Sequence, residues 1–260
     1  MLAVPDALAA YGGATALAEL GLRPFALSGM VSCSPLAAAE AAEVTNLPVL
    51  SREEFGEHLS LSLREGVSER LLSLLCLHYS ELRRWNRRIS LVGPIEKDAV
   101  VRRHYGESLE GLEFLGDKGG ALVDLGSGAG FPGFVLAAAR PDLSITLVEA
   151  RERKWSFLES VCRKAGLSCK CLNARVDTSP VEGLPTEIDW ITARAVAFED
   201  LGLSVLLPRL TPQGALLLWV GASDPEIPSS LEVRGEHLVA GSRSRRILEI
   251  VRTQGDSGGR

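Results

Sequence analysis

The chain has 260 residues, 46% apolar and 23% charged, with a formal net charge of −5. That size holds one dominant domain with a smaller attachment, and the composition is that of an ordinary globular protein, which sets aside disordered and fibrous classes. No run reaches the roughly 18 uninterrupted apolar residues of a membrane span, and residues ahead of Arg23 carry no Lys or Arg, against an expected targeting peptide.

In chain order, residues 1–57 read as a poorly ordered extension rich in Ala and acid, with short helices conceivable over 7–20 and 35–43. Asp6, Glu19, Glu40, Glu43, Glu53, Glu54 and Glu57 face only Arg23 and Arg52 there, leaving 26 acidic and 26 basic residues beyond. The whole negative charge therefore sits in this extension, and the rest can still present a basic face to nucleic acid. Residues 1–50 are expected to be dispensable.

From 68 to 89 the residues Leu71, Leu75, Leu82, Trp85 and Ile89 recur at helical spacing, predicting an amphipathic helix. A second helix is predicted over 97–115, making residues 58–117 a small helical domain. From residue 118 to 253, short apolar runs alternate with helical patterns, the signature of βαβ units and a mostly parallel sheet. Strands are predicted at 121–124, 144–149, 169–172, 188–193 and 215–220, with helices at 133–139, 154–165 and 201–210. The last helix should end before the Thr211-Pro212-Gln213-Gly214 turn. Two further runs, 232–239 and 246–252, read as a closing antiparallel pair, and 254–260 as a tail. The five cysteines (Cys33, Cys76, Cys162, Cys169 and Cys171) form no CxxC pair, which argues against a disulfide framework and a metal site and for a reducing cytoplasm.

The chemistry concentrates in Leu122-Val-Asp-Leu-Gly-Ser-Gly-Ala-Gly-Phe-Pro-Gly133. Gly126, Gly128 and Gly130 lie in the turn leaving the first strand, where missing side chains let a ligand approach the backbone. Gly128, Gly130 and Gly133 also satisfy the dinucleotide pattern GxGxxG, with Glu149 about 20 residues on. Asp124 separates the readings: a carboxylate at the strand end repels a pyrophosphate, whereas S-adenosylmethionine brings an ammonium and a sulfonium that an acidic lip suits. Glu149 can accept from both ribose hydroxyls. A dehydrogenase and a non-catalytic Rossmann domain stay behind the methyltransferase reading.

Several stretches resemble the RsmG family, also called glucose-inhibited division protein B. They are Asp124–Gly133 with Leu136-Ala137 and Arg140-Pro141-Asp142, then Thr146-Leu-Val-Glu149, Lys154, Phe157-Leu158 and Thr192-Ala-Arg-Ala195. The N-terminal helices add Trp85-Asn86, Ile89, Leu91, Arg103-His104 and Ser108-Leu109. The resemblance covers about residues 68–252. It implies an α/β, Rossmann-like S-adenosylmethionine-dependent methyltransferase fold with a small N-terminal helical domain. The activity it implies is methylation of ring nitrogen 7 of a guanine in 16S ribosomal RNA. The partner is then that RNA or the small ribosomal subunit, and we expect a cytoplasmic monomer without membrane or metal. The family's cofactor contacts fall on Gly126, Phe131, Glu149, Ala150, Val176, Asp177 and Arg194, beside Asp124 and Gly128 from the loop itself. Phe131 would wall the methionine end, and Val176-Asp177 would cradle adenine. Departures from the family pattern are Glu107 for Asp, Val92 for Thr and Val220 for Lys.

Guanine nitrogen 7 carries a lone pair and no proton, so its methylation asks for alignment more than for a base. Neither the Asn/Asp-Pro-Pro turn of amino-group enzymes nor a cysteine nucleophile follows the fourth strand. Arg194 is the expected catalytic residue, able to hydrogen-bond the guanine oxygen; the plainer role is an ion pair with an acid such as Asp124. His104 reads equally as a packed residue or a substrate contact, Trp85 as core, and Arg83, Arg84, Arg87 and Arg88 as a solvated face or an RNA contact. A methyltransferase-like assembly protein without turnover and a small-molecule methyltransferase remain as other functions.

Overall fold

The computed structural model describes residues 47–61, 66–177 and 181–253, all within one compact unit spanning 42–260. The conceivable helices at 7–20 and 35–43 lie outside the described residues, as does the 254–260 tail. Among the described residues no helix is long and apolar enough to cross a membrane.

Seven strands form one sheet: β1 (Ala121–Leu125), β2 (Ser144–Val148), β3 (Lys170–Leu172), β4 (Ile188–Arg194), β5 (Leu210–Val220), β6 (Leu231–Leu238) and β7 (Arg246–Arg252). Their order is β3-β2-β1-β4-β5-β7-β6. β1 to β5 are parallel, and β7 is antiparallel to both β5 and β6. This is the Rossmann-like α/β architecture expected, with its ligand crevice at the carboxyl ends of β1 and β4, where the strand order reverses. The predicted closing pair is β6 and β7.

Every strand of the parallel part is found within a residue or so of its expected position except β5. It starts at Leu210 rather than 215, and Thr211–Gly214 form an irregularity in its pairing with β4 instead of a free turn. A bulge tolerates Pro212 and Gly214 where a regular ladder would not. The helix predicted over 201–210 is broken into Phe198–Asp200, α6 (Leu203–Leu206) and Leu207–Arg209. Gly202 at φ +59° and Pro208 interrupt it.

Ahead of the sheet, α1 (Arg52–Ser60) carries a full capping box between Ser51 and Glu54 and buries Phe55 and Leu59. The boundary expected at residue 57 therefore falls inside a packed helix, and residues 47–57 do not belong to a poorly ordered extension. Leu47 is buried, and Pro48 O accepts the Tyr79 hydroxyl at 2.7 Å. A lone apolar pair, Phe55 and Leu59, gave too little periodicity for sequence reading to find it.

Helix α2 (Glu69–Asn86), capped by Ser68, buries Leu75, His78, Tyr79 and Leu82. The second predicted helix is composite. Lys97–Val100 is α-helical, Val101–Gly106 π-helical, Glu107–Leu109 α-helical and Glu110–Phe114 3₁₀; together they are called α3 below. The wide central turns keep Val100, Val101, Tyr105 and Leu109 all buried, and such segments concentrate at functional sites. α4 (Gly133–Ala139) and α5 (Glu152–Ala165) complete the layers. One apolar cluster runs from Leu47, Phe55 and Leu75 through Tyr105 to Leu122, Phe134 and Leu147. The N-terminal helices thus share a core with one face of the sheet.

Candidate functional site

At the carboxyl ends of the central strands lies a cavity of ≈ 460 Å³ lined by Leu125, Gly126, Val148, Glu149, Ala150 and Val176, with Arg151, Lys154 and the loop Ala195–Ala197 at its edges. Four of the residues singled out from the sequence meet there: Gly126, Glu149, Ala150 and Val176.

Glu149 is the anchor. It is 6% exposed, its Oε2 accepts the Gly128 N–H at 3.0 Å and its Oε1 the Arg151 N–H at 2.8 Å. Backbone donors hold the carboxylate in one orientation while lone pairs on each oxygen stay open. Asn173 Nδ2 donates to Glu149 O at 3.0 Å, so the turn carrying the acid is tied to the segment after β3.

The glycine loop is shaped by backbone geometry. Gly126, Gly128 and Gly130 all have positive φ, at 62°, 54° and 88°, a region that L side chains rarely adopt. A Cβ on Gly126 would lie 2.6 Å from Val196. Gly128 does not line the cavity; its N–H orients Glu149. Opposite the loop, Ala195 holds φ 56°, a strained setting for a non-glycine residue at the cavity edge. Sequence reading followed this loop only as far as Ala195, because Val196-Ala197 carries no chemical signature.

Asp124 is a correction. It is fully buried, beneath the loop and not on a cofactor lip, because strand alternation puts it with Leu122 on the face covered by α4. Its Oδ1 accepts from Thr192 Oγ1 at 2.7 Å, while Oδ2 has no partner among the described residues. A Cβ on Gly133 would sit 2.6 Å from that Oδ2, so the last glycine of the motif makes room for Asp124. Burial pushes the Asp124 carboxyl up to about 6, against the pull of its hydrogen bonds.

Phe131 also departs from expectation. Its ring does not line the cavity; it is 8% exposed and packed edge-on to His78 and Tyr105, with His104 stacked on it at 4.9 Å. Asp177 is exposed and lies outside the cavity lining that its neighbour Val176 joins.

Arg194 ends β4 but does not line the cavity. Its Nη2 donates to Glu107 Oε2 at 2.9 Å and to Arg103 O at 2.6 Å, and its buried Nη1 has no partner among the described residues. The ion pair weighed for it thus exists, with Glu107 of α3 in place of Asp124. Glu107, 2% exposed, also accepts from Arg245 at 2.8 Å, and its carbonyl accepts the Trp219 indole N–H at 2.8 Å. Burial pushes the Glu107 carboxyl up while the two guanidiniums pull it down.

His78 was not singled out, yet it joins the helices to the loop. Fully buried, it contacts Tyr105 Oη at 2.7 Å through Nδ1 and Ala129 O at 2.9 Å through Nε2. Burial pushes it down to about 4. The neutral ring then donates Nε2–H to the carbonyl and accepts the tyrosine O–H. His104 is half-buried, and burial and the Arg194 and Arg103 charges push it down to about 3.

The GidB family model, described as rRNA small subunit methyltransferase G, matches residues 72–230. A protein of Jannaschia sp. (strain CCS1) named Ribosomal RNA small subunit methyltransferase G is 34% identical over 165 residues, 62% of this chain and 76% of that protein. Its namesake in Halorhodospira halophila is 37% identical over 170 residues, 64% and 75% of the two chains. The one in Paramagnetospirillum magneticum is 36% identical over 172 residues, 65% and 81%.

Proposed function

Because this chain belongs to the GidB family, rRNA small subunit methyltransferase G, we propose that it transfers a methyl group from S-adenosylmethionine to nitrogen 7 of a guanine in small-subunit ribosomal RNA. The observation that carries the cofactor part is Glu149 in its cavity, with both oxygens held by backbone N–H groups.

The residues present fit that cofactor. The ≈ 460 Å³ cavity lies within the range of small-molecule sites. Glu149 would accept the ribose hydroxyls, the apolar surfaces of Val148, Val176 and Leu201 would flank the adenine, and Gly126 would let the backbone come close. When bound, S-adenosylmethionine supplies an activated methyl group.

The rest of the work is alignment in a site shielded from water. A guanine nitrogen 7 needs no deprotonation, which agrees with a cavity rim free of histidine among the described residues. Arg194 sits one residue before Ala195 of the rim. Its Nη1, buried and without a partner among the described residues, would reach the guanine oxygen beside nitrogen 7 only if the guanidinium turned from Glu107 toward the rim. In this reading the chain acts as a monomer in the cytoplasm.

The deciding experiment is mass spectrometry of small-subunit RNA from cells with and without the protein. Loss of one 7-methylguanosine on deletion is expected, and an unchanged content overturns the activity. Sedimentation of the purified protein at one chain mass checks the monomer.

A further inference from the structure

A second opening, of ≈ 570 Å³, lies outside the cofactor cavity between the end of α2 and the start of α5. It is lined by Arg84, Trp85, Arg87, Arg88, Ile89, Arg153 and Ser156. We propose that this groove binds the phosphodiester backbone of the RNA strand whose guanine enters the site, an inference that rests on the rRNA reading above.

Charge is the first argument. Arg84 is engaged by Glu81, which also pairs with Lys164. Arg87, Arg88 and Arg153 are exposed and have no carboxylate partner among the described residues. Three such guanidiniums converge on one concave surface, in a chain whose net charge is negative. The planar fork of each suits phosphate oxygens.

The groove is built, not merely charged. Asn86 Oδ1 accepts the N–H groups of Leu91 and Val92 at 2.9 and 3.0 Å, fixing the turn that carries Arg87 and Arg88. Trp85 forms part of the wall, braced edge-on by Phe157 at 5.8 Å. Half-buried beside the arginines, the indole also offers the aromatic surface that single-stranded RNA sites use.

Continuity with the cofactor cavity is the third argument. Arg151 and Lys154 line that cavity, while Arg153, between them in the first turn of α5, lines the groove. The two openings flank one helix end, so a strand lying in the groove delivers its next nucleotides to the cavity rim.

The test uses the full chain and deproteinised small-subunit ribosomal RNA. In Arg87→Glu/Arg88→Glu, binding should weaken about tenfold per arginine, and the slope of log affinity against log salt should flatten by about 1.4. Arg87→Lys/Arg88→Lys should retain most of both. S-adenosylhomocysteine affinity and the urea midpoint should not change, which separates a lost contact from a lost fold. Unchanged RNA affinity and slope in the glutamate variant overturn the groove. If the native protein meanwhile methylates the RNA, the functional reading stands without it. If RNA binding depends on the groove but no methyl is transferred, the groove stands and the activity falls.

Discussion

The Gly128 N–H donates to Glu149 Oε2 at 3.0 Å, joining the glycine loop after β1 to the acid after β2. The loop and the proposed ribose acceptor therefore hold each other in place. In Glu149→Gln, the amide nitrogen must face one of two backbone donors, at Gly128 or Arg151. S-adenosylhomocysteine affinity is expected to fall ~10- to 100-fold, the range for a charged hydrogen bond. Calorimetry showing native affinity would remove Glu149 from the cofactor's contacts.

Substitution of the loop glycines should reveal two different constraints. At Gly128 an added Cβ meets nothing closer than 3.5 Å, so Gly128→Val acts through its φ of 54° and through the displaced N–H. A cost of about 1–2 kcal/mol in urea unfolding is expected, with loss of cofactor binding. Gly126→Ala meets Val196 as well and should cost more than Gly128→Ala. Equal costs would mean that the Val196 side chain simply moves aside.

Arg194 joins stability to turnover. Removing it in Arg194→Ala leaves buried Glu107 with Arg245 alone, and about 3 kcal/mol of unfolding free energy should be lost. Arg194→Lys keeps a charge for Glu107 but cannot also present a second guanidinium nitrogen. It should retain most stability while kcat falls and cofactor affinity holds. Parallel loss of cofactor affinity and kcat in the lysine variant would make Arg194 a cofactor residue.

Acidification should weaken the fold. His78, usually near 6.5 and about 4 when folded, contributes stability present above pH 6.5 and lost toward pH 4, about 3 kcal/mol over the window. Asp124, raised from 3.8 to about 6, has the opposite sign: the folded state takes its proton first, recovering about 3 kcal/mol as pH falls from 6 toward 3.8. His104 is shifted the same way as His78 and tips the balance. The urea midpoint is expected to be lower at pH 5 than at pH 7.5; a rise would show that Asp124 dominates.

Truncation tests how much α1 contributes to the packed fold. Deleting residues 1–46 should leave folding and methylation intact. Deleting 1–60 also removes Leu47, Phe55 and Leu59 from the core, where a lost phenylalanine alone costs about 3–5 kcal/mol. Little soluble, cofactor-binding protein should remain after the longer deletion. Equal stability of the two shortened chains would show that α1 is an ornament.

β1 to β4 and the helices α4 and α5 were legible because apolar period and glycine punctuation agree along 121–194, whereas Gly202, Pro208 and Pro212 hid the broken helix and the early start of β5. Glu149 was legible because an acid ending the second strand has few structural uses. What the sequence hid is side-chain direction. Asp124, Phe131 and Arg194 carry the right chemistry in the right motif, but pleat alternation, an aromatic cluster and Glu107 turn them away from the cavity. His78 was hidden differently: one histidine on an apolar helix face gives no sign of the loop carbonyl it will meet. The π-helical turns of α3 also escaped, since periodicity averages over a one-residue slip.

The apolar cluster that runs from α1 and α2 into the sheet has a consequence for how the protein yields. With the helices and the sheet layers sharing one core, neither is expected to melt while the other persists. Slow amide exchange in α2 and in β1 should share one opening free energy, and heat should unfold both in a single transition. The arginines of the proposed groove and the glycine loop are thereby mounted on one core, and the relative aim of the two openings is inherited from core packing rather than set by a hinge.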